Sequence, residues 1–326
     1  MPDQILGALL PAVITIVLGY FAARHHDFKQ EDVPVLNRMV IGYALPLSLF
    51  VGVVQADRSD LLTAVPLMAI LAVAIMGTYT AVFLLGRFVL RYGAGMCAIG
   101  ALAASAPSSA FVGAPVLSYF YGNGADIPIA ISSIVIVLAL VPVTIITLSL
   151  ETGGSRPVRA GQGTSATDAS SPRSGATAID RIIDALKQPV VWLPLLGIIM
   201  VLLNVSVPKV FADSLDLLGQ ASAGVALFTS GIILAGYKVM VNGPVLFVVF
   251  VKNILQPALV LGAMAWLGYD DPLLGQTVLT IALPSVVVSV MLAVQYQVAA
   301  KEAASALFIS TVGSLLTMSV FIWFLF

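Results

Sequence analysis

The chain has 326 residues, of which 60% are hydrophobic and 10% charged, whereas soluble domains carry roughly a quarter charged residues. That balance excludes an ordinary soluble domain, and a formal net charge of −1 supplies no basic excess for a nucleic-acid partner. Apolar runs near the ~20 residues needed to cross hydrocarbon recur along the whole length, so the sequence reads as an all-α polytopic membrane protein.

Ten transmembrane helices are predicted, at 5–23, 34–54, 61–86, 96–120, 127–149, 190–206, 216–237, 244–267, 273–296 and 304–326. The runs are too long and too uniformly apolar for the alternating strands of a membrane barrel. Arg24, Lys29 and Arg38 flank the first connection, Arg87 and Arg91 the third, Lys238 the seventh and Lys301 the ninth. The fifth holds Arg156, Arg159, Arg173, Arg181 and Lys187, and the even connections hold only Arg58 and Lys209. The positive-inside rule then places the odd connections in the cytoplasm and both termini outside a cytoplasmic (inner) membrane. Cys97 is the single cysteine, so no intrachain disulfide forms.

Between residues 151 and 188 the composition changes. "ETGGSRPVRAGQGTSATDASSPRSGATA" cannot bury enough apolar surface to offset its ordering entropy and reads as a flexible cytoplasmic linker. "IDRIIDALKQP" follows, with Ile179, Ile182, Ile183 and Leu186 at helical spacing; it reads either as an interfacial helix or as a cytosolic extension of the sixth span.

The linker divides the chain into membrane repeats at 1–150 and 189–326, each of five spans. At an offset of about 178 residues Phe50 falls on Phe228, Pro66 on Pro244, Pro107-Ser108 on Pro284-Ser285 and Tyr119 on Tyr296. Five is an odd number of crossings, so the repeats enter the membrane from opposite sides, as inverted repeats of secondary transporters do.

In the fourth span, "SAPSSAFVGAPVLSYFYG" places Pro107 and Pro115 where a continuous helix should run. A proline removes a backbone hydrogen bond and clashes with the preceding turn. Groups freed this way at membrane depth are tolerated where protein or a watery cavity satisfies them. Pro107 and Pro115 are therefore expected to break the fourth helix and Pro284 the ninth, with the broken helices crossing near the midplane. Each resumed half-helix would aim an N-terminus, worth roughly half a positive charge, at the crossing, where Ser108, Ser109 and Ser285 add hydroxyls. Pro11, Pro46, Pro142, Pro194 and Pro257 also fall in spans and read as kinks.

No Asp or Glu lies in the interior of a predicted span, and Lys252 is the one basic residue well inside, with Asn253 adjacent and Gln256 one turn further. A buried charge needs a reason. Lys252 either faces the crossing as counter-charge to an anion or snorkels to the cytoplasmic headgroups. Ser310, Ser314 and Thr317 form a stripe on the tenth span that reads as close helix packing. No nucleotide-binding loop or zinc-protease pair occurs, and adjacent His25 and His26 read as solvated surface rather than a metal site.

The run "TIALPSVVVSVMLAVQYQVAAKEAASALFISTVGSLLTMSVFIWF", together with "FVGAPVLSYFYG", "ALFTSGIILAG" and "VKNILQP", resembles the auxin efflux carrier family, whose bacterial members include proposed malonate and other organic-acid permeases. The likeness covers essentially all the predicted spans. It implies a fold shared with bile-acid sodium symporters: a scaffold of spans 1, 2, 6 and 7, and a core of spans 3–5 and 8–10 that moves to give alternating access. Many members carry an asparagine near the G-x-P of the fourth span where this chain has Ser108, a departure that argues against auxin itself.

The expected function is secondary active transport of small organic anions such as carboxylates; an intramembrane enzyme would need paired catalytic groups within the spans, and none is visible, so no enzyme activity is expected. A sodium-coupled symporter of larger organic anions and, less favoured, a channel are the alternatives. The candidate substrate-binding residues are Pro107, Ser108, Ser109, Gly113, Pro115, Lys252, Gln256, Pro284 and Ser285. No metal or cofactor is expected, with H+ or Na+ as the coupling ion; the partners are the substrate and membrane lipids, with self-association open.

Overall fold

A computed structural model of the chain describes residues 2–55, 65–122, 126–151, 187–203, 205, 207–236 and 239–325. Almost all of the linker and of the predicted interfacial helix lies outside the described residues, which resume at Lys187. In chain order the helices are α1 (Pro2–Arg24), α2 (Val33–Met39), α3 (Leu45–Val54), α4 (Val65–Leu84), α5 (Ala94–Ser105), α6 (Ala114–Tyr121), α7 (Asp126–Val135), α8 (Val141–Glu151), α9 (Pro189–Leu202), α10 (Lys209–Gly236), α11 (Gly243–Phe250), α12 (Gln256–Trp266), α13 (Leu273–Ala282), α14 (Val288–Gln295) and α15 (Ala300–Leu325).

Several of these join end to end. α2 and α3 form one 22-residue stretch, α7 and α8 continue each other, and so do α11 and α12. Among the described residues six stretches are long and apolar enough to cross a membrane: Val33–Val54, Val65–Val89, Ile127–Glu151, Lys209–Gly236, Gly243–Trp266 and Ala300–Leu325. Shorter apolar helices occupy Leu10–Arg24, Ala94–Ser105, Pro189–Val201 and Leu273–Ala282. The seventh predicted span starts seven residues late, because Lys209 and Asp213 hide an N-terminal extension that the helix nevertheless keeps.

The prolines fall into distinct classes. Pro46, Pro115, Pro142 and Pro257 each stand second in a helix that follows a π-helical turn, at Val40–Ala44, Ser109–Gly113, Ile136–Leu140 and Val251–Leu255. A proline ring collides with the carbonyl four residues earlier. Widening that turn to the π pattern relieves the collision and lets the helix pass on. Pro115, expected to break the fourth helix, is absorbed in this way. Pro11 and Pro194 sit inside regular helices. Only at Pro107 and Pro284, among the described prolines within predicted spans, does the chain become extended, between α5 and the turn at Ser109 and between α13 and α14.

The contacts outline two packing groups joined through α15, which packs on α1 and α10 as well as on its partners in the second group. α1 lies along α10, and α3 packs on α9 and α10. The first of these pairs is close: a side chain at Gly19 would collide with the Phe228 carbonyl, and one at Gly231 with the Ile16 carbonyl, so small residues let the backbones touch. The second group contains α4 against α5 and α7, α5 against α8, α12 against α13, and α15 against α11 and α13.

Candidate functional site

The two extended segments cross as a short antiparallel bridge between Pro107 and Ser285. The Ser108 amide donates to the Pro284 carbonyl at 2.9 Å, and the Val286 amide donates to the Ala106 carbonyl at 3.1 Å. Each break thus satisfies backbone groups of the other, which a buried membrane segment requires. The Ser285 hydroxyl donates to the Ala103 carbonyl at 2.8 Å, and the Ser285 amide donates to the Ser310 hydroxyl at 3.0 Å. Ser310 in turn donates to Asn253 Oδ1 at 2.6 Å, while Asn253 Nδ2 donates to the Ser310 carbonyl at 2.8 Å. The polar stripe of the last helix therefore anchors the crossing through Ser310.

The ends of the first halves, α5 and α13, are held by one polar pair. Lys252 is fully buried and donates from Nζ to the Ile281 carbonyl at 2.7 Å and to Gln256 Oε1 at 3.1 Å. Gln256 Nε2 donates to the Ser105 carbonyl at 2.9 Å and to the Ala74 carbonyl at 3.4 Å. A cation suits this position, because helix C-termini carry about half a negative charge each. Lys252 does not snorkel in this arrangement. It sits against the helix ends and is not among the residues that line the cavity beside the crossing.

That cavity encloses about 30 Å3, with Pro107, Ser108, Ser109, Ser133, Val286 and Val288 on one side and Leu45, Leu49 and Val190 on the other. It lies where the two packing groups meet, beside the beginnings of the second halves. Ser109 and Ser133 hydroxyls face each other at 3.4 Å. Ser108 is 2% exposed, and its hydroxyl has no partner. The lining carries no charged side chain, so hydroxyls and helix N-termini are what it offers to a ligand; such termini suit anions.

Of the sequence candidates, Pro107, Ser108 and Ser109 line the cavity, Pro284 and Ser285 build the bridge, and Lys252 and Gln256 hold the ends of α13 and α5, Gln256 also lining a separate cavity of about 410 Å3 with Ala74, Val260 and Met264. Gly113 is absent from the cavity wall and packs near Leu283 and Ile129. Pro115 opens α6. Ser133 went unnoticed in the sequence; its signal is the Ser132-Ser133 pair within an otherwise apolar span.

The sequence profile of a family described as "Membrane transport protein" matches residues 4–322. The chain belongs to this family. Membership of this membrane transport family, which includes auxin efflux carriers, agrees with the sequence resemblance. The chain is 30% identical to an uncharacterized transporter, YfdV, of Escherichia coli strain K12 over 98% of this chain and 96% of the relative. It is 25% identical to a putative malonate transporter of Rhizobium meliloti over 97% and 94%. It is 21% identical to auxin efflux carrier component 8 of Arabidopsis thaliana over 90% and 89%. As a member of this family the chain is a multi-pass membrane transporter.

Proposed function

We propose that this transporter is a secondary carrier of small organic anions, carboxylates foremost, working by alternating access. The observation that carries the reading is the cavity at the crossing, with the unpartnered Ser108 hydroxyl and the starts of two half-helices beside it. A carboxylate would accept from Ser108, Ser109 or Ser133 and from free amides in those first turns, with the partial positive charge of both N-termini favouring it. Its organic body would meet Leu45, Leu49 and Val190 from the first packing group, so the ligand sits between the groups. Movement of the second group against the first would then expose it on either side. The relative named for malonate supports the choice of a carboxylate.

The reading includes ten spans in two inverted repeats, a linker at 151–188, cytoplasmic-membrane placement with both termini outside, and H+ or Na+ as coupling ion. Substrate counterflow in proteoliposomes tests it. Dicarboxylates, monocarboxylates and aromatic acids are to be crossed with imposed pH, sodium and potential gradients. Saturable counterflow by at least one small carboxylate is expected; flux without counterflow would mean a channel, and no carboxylate flux would sink the substrate class.

A further inference from the structure

Two hydrogen bonds tie the first packing group to the region of α14. Asn37, on α2, donates from Nδ2 to the Met291 carbonyl at 3.0 Å. Gln188, the residue before α9, donates from Nε2 to the Tyr296 hydroxyl at 2.9 Å, just past the end of α14. The same hydroxyl accepts from Ser149 at 3.3 Å, on α8 of the second group. α14 is also a wall of the cavity, through Val288 in its first turn.

Each of the two amides leaves its oxygen buried with no donor, and Asn37 is 4% exposed. An aliphatic side chain at either place would pack without an orphaned acceptor, so packing alone does not account for them. An amide does something an aliphatic group cannot. The Asn37 amide grips a helix carbonyl in one position, and because helix carbonyls repeat every 5.4 Å, it finds an equivalent acceptor after the helix slides by a turn; the Gln188 amide grips the Tyr296 hydroxyl instead, an acceptor that the slide carries away. The unused oxygen of each amide is then free to pair with groups that the slide brings up.

We infer that Asn37 and Gln188 are positioning residues that hold α14 against the first packing group in the arrangement described, and that releasing both bonds is a step of the transport cycle. The inference rests on the proposed alternating access, in which this interface must slip. Neither residue touches the cavity, so their effect is on which arrangement is populated and not on the ligand itself.

The test uses the full chain in membranes with Cys97→Ser, Leu45→Cys and Val288→Cys, which place one thiol on each side of the cavity. The readout is the rate of cross-linking by a short bifunctional thiol reagent. Adding Asn37→Leu or Gln188→Leu is expected to slow cross-linking about two- to tenfold, the range set by one ordinary hydrogen bond. Detergent melting temperature should stay level or rise, because an orphaned acceptor is removed. Unchanged cross-linking in a folded Gln188→Leu variant overturns the inference, even if Asn37→Leu does not fold. Slower cross-linking accompanied by a matching fall in melting temperature also overturns it, as that marks general loosening. Failure of the counterflow assay would instead strike the transport reading, and a normal counterflow with unaltered cross-linking strikes this inference alone.

Discussion

Ser108 carries a buried hydroxyl that bonds to no protein group, and leaving such a group unpaired costs about 1–3 kcal/mol. Ser108→Ala is therefore expected to leave melting temperature level or raise it, while substrate affinity falls about two- to tenfold. Equal affinity in proteoliposomes for the two proteins would remove Ser108 from the substrate. Lys252 predicts the opposite coupling. Its nitrogen holds the Ile281 carbonyl and Gln256, and hydrogen bonds to a charged group are worth about 1.5–3 kcal/mol. Lys252→Met should lower stability and transport together, and Lys252→Arg should rescue little, since a planar guanidinium cannot reproduce the compact ammonium contact. A melting temperature unchanged in detergent, with substrate affinity alone reduced, would make Lys252 a ligand instead. The sequence could mark Lys252 as expensive, because its placement in an apolar run is visible. It could not say what the side chain touches, because the Ile281 carbonyl reaches it through tertiary packing.

The proline classes separate breaks from passages at the scale of helices. At Pro284 the chain leaves the helix and its neighbours bond across to α5's end, whereas at Pro142 a π turn carries the helix through. Pro284→Ala, which allows α13 to run on toward α14, is expected to impair transport more than Pro142→Ala at matched expression. Greater damage from Pro142→Ala, measured as initial uptake rate, would move the site away from the crossing. The pairing of Pro107-Ser108 with Pro284-Ser285 was legible in the sequence as a repeated dipeptide. The fate of Pro115 was not, because a π turn leaves no composition of its own and depends on how far a helix can widen. The same limit applies to Gly19 and Gly231, whose shared contact joins α1 to α10 across 212 positions of chain (231 − 19).

At the scale of the molecule, the arrangement of spans predicts sidedness. A cysteine at Ser170, in the Cys97→Ser background, should react with a membrane-impermeant thiol reagent from the cytoplasm only. One at Asp271, beside α13 and bonded by the Tyr121 hydroxyl at 3.0 Å, should react only from outside. Labelling of both from one side would rule out the inverted repeat. Burial pushes the Tyr121 hydroxyl above its ordinary pKa, and the neighbouring Asp271 adds to this; Tyr121 therefore keeps its proton and donates it in a hydrogen bond to Asp271 through neutral pH. Membrane character, helix positions and the two breaks could be read from hydropathy and proline placement. The cavity between packing groups could not, since Leu45 and Val190 come from helices whose apolar faces look alike in sequence.

The bridge at Pro107 and Ser285 also bears on how the protein is made. Ala103, which accepts from the Ser285 hydroxyl, precedes it by 182 residues, so at roughly 5–20 residues per second the first half waits roughly ten to forty seconds on the ribosome for its counterpart. During that interval the Ser108 amide and the Ala106 carbonyl lie in the bilayer with no mate from their own half. A nascent chain halted before residue 284 should accordingly be held by insertion factors or water and be open to membrane proteases, and resist them only once the second break has arrived.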